Sequence, residues 1–110
     1  MKKINNKESK MIIQQGDVIL EKVEKVPERS KEKKGNVLVE GEVTGHAHRI
    51  DTKAPFKLYE NDGMLYIENE QILDVVHEEH DTVTIPDGIW QVRKVKEYDH
   101  FLEEAREVQD

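Results

Sequence analysis

The fold is decided by residues 56–68, FKLYENDGMLYIE, in which two strand-like runs flank Asn61-Asp62-Gly63. Both runs are rich in aromatic and aliphatic residues, with charged residues between them or at their ends, as in short buried or half-buried strands. Glycine readily adopts the positive φ that a tight reversal needs, and asparagine and aspartate tolerate it. These residues therefore predict a β-hairpin with strands over 56–60 and 64–68.

Further strand-like runs follow the same rules along most of the chain. Pro86-Asp87-Gly88 separates residues 82–85 from residues 89–95 and predicts a second hairpin, because proline and glycine favour a tight turn. The remaining runs of β-branched or alternating residues are 17–23, 36–43 and 72–76. Together they predict a mostly β fold, a small barrel or β-roll of about seven strands.

The C-terminus changes to a helical period. Phe101, Leu102, Ala105 and Val108 recur at positions that share one face of an α-helix, and Asp99 is a candidate N-cap. Residues 1–10 are polar and are expected to be flexible. We therefore predict one β-rich domain over residues 11–110 that ends in a single C-terminal α-helix.

Length and charge limit the class of protein. A chain of 110 residues suits a single domain. Its hydrophobic share of 35% predicts a thin core, so a homo-oligomer that hides more apolar surface is expected. Residues 36–110 carry seven Lys and Arg against eighteen Asp and Glu. This acidic body repels phosphates, so general nucleic-acid binding is not expected.

Missing sequence features exclude further classes. No run approaches the roughly 20 apolar residues that a membrane-spanning helix needs, so no membrane partner is expected. The basic start has no apolar stretch of signal-peptide length behind it. Because the chain has no cysteine, it forms neither disulfides nor thiolate metal sites. A cytoplasmic location is the simplest expectation.

Four of the five histidines form two close pairs, His46 with His48 and His77 with His80. On a strand the first pair points to one face, because side chains alternate with period two. The strand before His77 is predicted to end there, so a turn can bring the second pair together. Imidazole is the commonest metal ligand among side chains. We predict that these four histidines bind a divalent transition metal, zinc or manganese.

Polar neighbours of the two pairs supply further candidate roles. Glu78 and Glu79 are candidates for the general base, or for orienting a ligating imidazole through a hydrogen bond. Thr44 and Arg49 flank the first pair and are candidates for binding an anionic small-molecule ligand. The planar guanidinium group of arginine suits a phosphate in particular.

The segment before the predicted helix holds three more candidates. Tyr98, Asp99 and His100 are placed to act as an acid, an orienting group or an extra metal ligand. The alternative is an ordinary helix start in which these residues only cap the first turn.

Several segments resemble a set of small bacterial and phage proteins of unknown function. They are residues 16–18 (GDV), 40–49 (EGEVTGHAHR), 77–80 (HEEH) and 93–108, the last of which contains EYDHF at 97–101. This resemblance implies no activity, cofactor or partner. A partial similarity to cupins rests on His46-Ala47-His48 followed by Pro86-Asp87-Gly88. The glutamate that cupins place after the histidine pair is missing, and Gln91 stands where a final ligand histidine is expected.

The leading hypothesis is a metal-dependent hydrolase that acts on a phosphorylated or nucleotide-like small molecule. A bound cation would lower the pKa of its water into the neutral range. A first alternative drops the metal and uses two histidines as general acid and base on a phosphodiester. A second is a non-catalytic module of phage or bacterial origin that binds a ligand or a protein. Surface histidines in polar turns and a purely structural metal site are the remaining alternatives.

Overall fold

Ten β-strands build the part of the chain that the computed structural model describes, residues 11–41 and 44–95. The sequence predicted about seven, and short strands account for the excess. The ten are β1 (Ile12–Gln15), β2 (Val18–Val23), β3 (Lys31–Lys33), β4 (Val37–Glu40), β5 (Ala47–Ile50), β6 (Phe56–Asn61), β7 (Met64–Asn69), β8 (Leu73–Val76), β9 (Val83–Ile85) and β10 (Gly88–Lys94).

The strands form two antiparallel sheets. One has six strands in the order β1-β2-β10-β7-β6-β3, and the other has four in the order β4-β5-β8-β9. Within the described residues neither sheet closes on itself, so the predicted barrel is wrong. Each sheet instead ends in two edge strands. At one of these edges β3 consists of exposed charged residues, which discourage further pairing.

The hairpin predicted over residues 56–68 is confirmed. β6 and β7 pair antiparallel from Phe56 opposite Asn69 to Asn61 opposite Met64. The two turn residues, Asp62 and Gly63, have φ values of 55° and 83°. Positive φ at both central positions matches the twist of the flanking strands, which is why this sequence forms a two-residue turn.

The second predicted hairpin is wrong, although both of its strands exist. β9 pairs with β8 in the four-stranded sheet, whereas β10 pairs with β2 and β7 in the six-stranded sheet. The chain crosses between the sheets at Pro86, whose carbonyl accepts hydrogen bonds from Asn69 Nδ2 and Trp90 Nε1. Ile85 and Trp90 are fully buried on either side of the crossing, so core packing overrides the turn preference.

Both sheets contribute to one hydrophobic core, which positions the histidine-bearing segments. β5 and β8 are anchored in it by Ile50 and by Leu73 and Val75, all nearly or fully buried. The core comprises Val18, Leu20, Leu38, Ile50, Leu58, Leu65, Ile67, Leu73, Val75, Ile85, Trp90 and Val92.

Two predictions lie outside the described residues. They are the flexible segment 1–10 and the C-terminal α-helix with Phe101, Leu102, Ala105 and Val108. Across residues 11–41 and 44–95 the structure contains no helix long and apolar enough to cross a membrane.

Candidate metal centre

All four predicted histidine ligands come together at one end of the four-stranded sheet. His48 lies on β5, His46 directly precedes that strand, and His77 and His80 lie in the turn that follows β8. Because β5 and β8 pair antiparallel, the ring centroids of His48 and His77 are only 4.3 Å apart. Those of His77 and His80 are 4.7 Å apart, and those of His46 and His77 are 5.8 Å apart.

The four rings line a cavity of about 390 Å³ that is acidic overall. Asp17, Glu40 and Glu79 contribute three carboxylates to its wall, and Lys94 contributes one ammonium group. With neutral imidazoles these groups leave a formal charge of −2. Asp17 and Lys94 approach each other, with Oδ2 and Nζ 3.8 Å apart. A divalent cation would balance this charge, whereas a bare anion would meet net repulsion.

His48 is the buried member of the cluster, with 3% of its surface exposed. Its Nδ1 donates a hydrogen bond of 2.7 Å to Gln15 Oε1, and its Nε2 lies 3.8 Å from Asp17 Oδ1. Desolvation by burial, followed by repulsion from His77, lowers the pKa of His48 to about 4. The imidazole is therefore neutral at neutral pH, the state that a metal ligand requires.

His46 and His77 are less buried than His48, and both contact Glu79. His46 approaches its carboxylate, and His77 approaches its backbone amide. Nδ1 of His46 lies 3.6 Å from Glu79 Oε2. Nδ1 of His77 accepts a hydrogen bond of 3.0 Å from the Glu79 amide, which places the proton of a neutral His77 on Nε2. A metal bound to His77 would therefore break this hydrogen bond in either case. At Nδ1 the metal would replace the amide donor, and at Nε2 it would shift the ring proton to Nδ1, which could then no longer accept.

Glu78 is poorly suited to act as a general base. Its Oε1 accepts a hydrogen bond of 2.9 Å from the Ala47 amide, and its Oε2 pairs with Arg49 Nη2. The hydrogen bond from Arg49, followed by that from Ala47, lowers the pKa of Glu78 to about 2. Glu78 still offers an oxygen within 4.8 Å of ligand nitrogens of His46 and His77, so these three are the described residues whose ligand atoms lie close enough together for one metal ion. His48 and His80 are not in this set, and their rings would have to shift to reach the same ion.

The other predicted site residues lie elsewhere. Thr44 is exposed in the turn before β5, and Arg49 is engaged by Glu78. Neither is among the described residues that line the cavity. Tyr98, Asp99 and His100 lie outside the described residues.

Sequence reasoning missed four residues that shape the site, namely Gln15, Gly16, Asp17 and Lys94. Gln15 ends β1, Gly16 and Asp17 form the β1–β2 turn, and Lys94 ends β10, so all four lie outside the two histidine segments. The useful pattern was Gln15-Gly16-Asp17 between two strands, which marks a turn with polar side chains.

Gly16 permits the close approach of His80. Its φ is +59°, and a Cβ placed there would lie 2.5 Å from His80 Nε2. Such contact is far inside van der Waals distance, so the glycine is required for backbone conformation and for space.

We expect Gly16→Ala to lower the free energy of unfolding by about 1–3 kcal/mol and to displace His80, since strain and steric overlap act together. Gly63→Ala is the matched control. Its φ of +83° imposes comparable strain, but its added Cβ meets nothing within 4 Å. Urea unfolding and the NMR shifts of His80 measure both effects. Equal unfolding energies with unmoved His80 signals would contradict the proposed contact.

Together these features define a two-sheet antiparallel β protein with a histidine-lined acidic cavity. The chain belongs to the family described as Domain of unknown function (DUF8820), whose model matches residues 14–95. This confirms the expected membership of a family of unknown function. No curated protein and no solved structure matches the chain. The matched range includes all four clustered histidines and the four residues that sequence reasoning missed.

Proposed function

We propose that this protein binds one divalent transition metal ion through His46, His48 and His77, with His80 as a fourth ligand. The observation that carries this proposal is the convergence of four imidazoles in one cavity of charge −2. Histidines that cluster on a surface by chance would all be exposed, whereas this cluster contains the buried, neutral His48.

The donor set favours zinc over manganese, the two metals that the sequence suggested. Imidazole nitrogen suits zinc, copper, iron and nickel, whereas manganese prefers oxygen donors. Glu78 offers one oxygen close to His46 and His77, but its charge is already compensated by Arg49. The nitrogen-rich side of the cavity is therefore the better zinc site.

We further propose that the bound metal activates water for hydrolysis of a phosphorylated or nucleotide-like small molecule. A cavity of about 390 Å³ has the size of a small-molecule site and leaves room beside the metal. Glu79 is the better general base, because its carboxylate is 65% exposed and lines the cavity, whereas Glu78 has a strongly lowered pKa. The substrate anion would be bound by the metal and by Lys94, which lines the cavity and only loosely approaches Asp17. Arg49 does not line the cavity and is paired closely with Glu78.

Two rivals differ in what they require of the cavity. A metal-free phosphodiesterase would need to attract an anion into a pocket of charge −2, which the metal hypothesis avoids. A non-catalytic binding module needs the same metal or ligand site without turnover, so activity measurements separate it from the hydrolase.

The first test is metal content of untagged protein by elemental analysis. We expect about one transition-metal ion per chain in the natural sequence and near-complete loss in the double variant His46→Ala, His77→Ala, which removes two ligands shared by the four-histidine set and the set with Glu78. Asp74→Asn is the control, because Asp74 is an exposed acid that pairs with Thr84 outside the cavity.

Zinc titration of chelator-treated protein completes this test. We expect thermal stabilisation that saturates with zinc in the natural sequence and in Asp74→Asn, but not in the double variant. Protein that is metal-free as purified and unaffected by zinc or manganese would overturn the proposed function.

A further inference from the structure

Gln15 is the most constrained polar side chain next to the histidine cluster. It is the last residue of β1 and only 2% of its surface is exposed. Its Nε2 donates to the Val75 carbonyl at 2.8 Å and to the Asp81 carbonyl at 2.9 Å. Its Oε1 accepts from His48 Nδ1 at 2.7 Å. Three partners on two other segments thus fix the orientation of one amide.

The two carbonyls decide which way this amide faces. Both hydrogens of Nε2 are used by Val75 and Asp81, so the oxygen must face His48. A reversed amide would set its oxygen against two carbonyl oxygens and its N–H group against the imidazole. Buried acceptors that lose their donors are costly, so the reversed state is strongly disfavoured.

The amide orientation in turn decides the tautomer of His48. Because a carboxamide oxygen only accepts, His48 Nδ1 must carry the proton. The unprotonated nitrogen of the neutral ring is then Nε2, on the side where Asp17 and the cavity lie. A ligating histidine in proteins commonly has its other nitrogen held in this way.

We propose that Gln15 is the positioning residue of the histidine cluster, fixing His48 as its Nδ1–H tautomer so that Nε2 is presented to the bound metal. The metal part of this inference rests on the proposed function. The same side chain ties both ends of the turn that carries His77 and His80, since Val75 precedes that turn and Asp81 follows it. Gln15 therefore sets one ligand directly and places two others through the backbone.

The first measurement uses the metal-free natural protein and does not depend on metal binding. Long-range proton–nitrogen correlation spectra distinguish protonated from unprotonated imidazole nitrogens, and a His48→Asn variant identifies the signals of His48. At neutral pH we expect a protonated Nδ1 and an unprotonated Nε2. A protonated Nε2 or a mixture of tautomers would overturn the proposal, whether or not the protein binds zinc.

Two variants separate positioning from a merely structural role. Gln15→Met removes all three hydrogen bonds, whereas Gln15→Glu keeps an acceptor for His48 Nδ1 but loses both donors to the carbonyls. We expect Gln15→Glu to keep the proton on His48 Nδ1 and to bind zinc more weakly than the natural protein, because it loses both bonds that hold the turn, but more tightly than Gln15→Met. We expect Gln15→Met to lose the fixed tautomer and to bind zinc about 10–100-fold more weakly.

The opposite pattern would contradict the positioning role. If Gln15 only supports the turn, both variants lose the bonds to Val75 and Asp81 and must weaken zinc binding alike. If Gln15→Met fails to fold, the tautomer in the natural protein and in Gln15→Glu still decides the question. Normal tautomers without zinc binding in any form would overturn the proposed function and leave the orienting role of Gln15 intact.

Discussion

Acidifying the metal-free protein from neutral pH to about pH 4 is expected to lower its free energy of unfolding by about 3 kcal/mol through His48. The unfolded chain binds a proton at this histidine near pH 6.5, whereas the native state binds it only near pH 4. Between these values the unfolded state holds more protons and is favoured as the pH falls. The stability contributed by His48 is therefore complete above pH 6.5 and is lost towards pH 4.

The groups around His48 explain the direction of the shift. Desolvation is the largest cause, and the charges of His77, His80 and Lys94 also lower the pKa, whereas Asp17 raises it. The lowered pKa of Glu78 acts in a separate window, because its contribution is complete above pH 4.5 and is lost towards pH 2. A decline between pH 6.5 and 4 can thus be separated from carboxylate protonation at lower pH.

The measurement is urea unfolding at a series of pH values in the presence of chelator, analysed as a two-state transition. His48→Asn is the control variant, since asparagine retains an N–H donor for Gln15 Oε1 but does not titrate. Between pH 6.5 and 4 we expect the free energy of unfolding to fall less steeply in His48→Asn than in the natural protein. Equal slopes in the two proteins would show that His48 is not desolvated.

Local chemistry made the first hairpin predictable, and long-range packing made the second one wrong. Asn61-Asp62-Gly63 specifies its turn within the chain, so no distant contact is needed. Pro86-Asp87-Gly88 resembles a hairpin turn equally well, yet the buried side chains of Ile85 and Trp90 direct the chain into two different sheets. Turn preferences of about 1 kcal/mol are small beside the burial of such residues.

The histidines of the candidate site could be predicted from the sequence, because histidine is a metal ligand whatever its surroundings. The histidine pairs stand out in the sequence, and antiparallel pairing of β5 with β8 brings them together. Gln15 and Lys94 could not be assigned, because their roles come from strand order, in which β1 and β10 lie in the other sheet. Arg49 and Glu78 were grouped with the site from their position in the sequence, but they bind each other and neither is among the described residues that line the cavity.

Replacing Glu79 with glutamine is expected to slow zinc-dependent phosphoester hydrolysis by about 100- to 10,000-fold if this carboxylate is the general base. The amide keeps the size of the side chain but cannot take a proton from metal-bound water. Zinc affinity should change little, because the proposed ligands are the histidines and Glu79 lies 3.6 Å from His46 Nδ1 rather than among them. Turnover and zinc affinity should therefore separate in this variant.

Steady-state hydrolysis of p-nitrophenyl phosphate and bis(p-nitrophenyl) phosphate by zinc-loaded protein measures this effect. Glu40→Gln is the matched control, because it removes the same charge from the same cavity wall while leaving Glu79 in place. Similar losses in both variants would assign the effect to cavity charge. Zinc binding without turnover of either ester would instead support the non-catalytic binding module, since a bound metal alone does not make a hydrolase. The Glu79→Gln variant thus separates the two functions: a metal-dependent enzyme would lose turnover, whereas a non-catalytic module would keep its metal binding and have no turnover to lose.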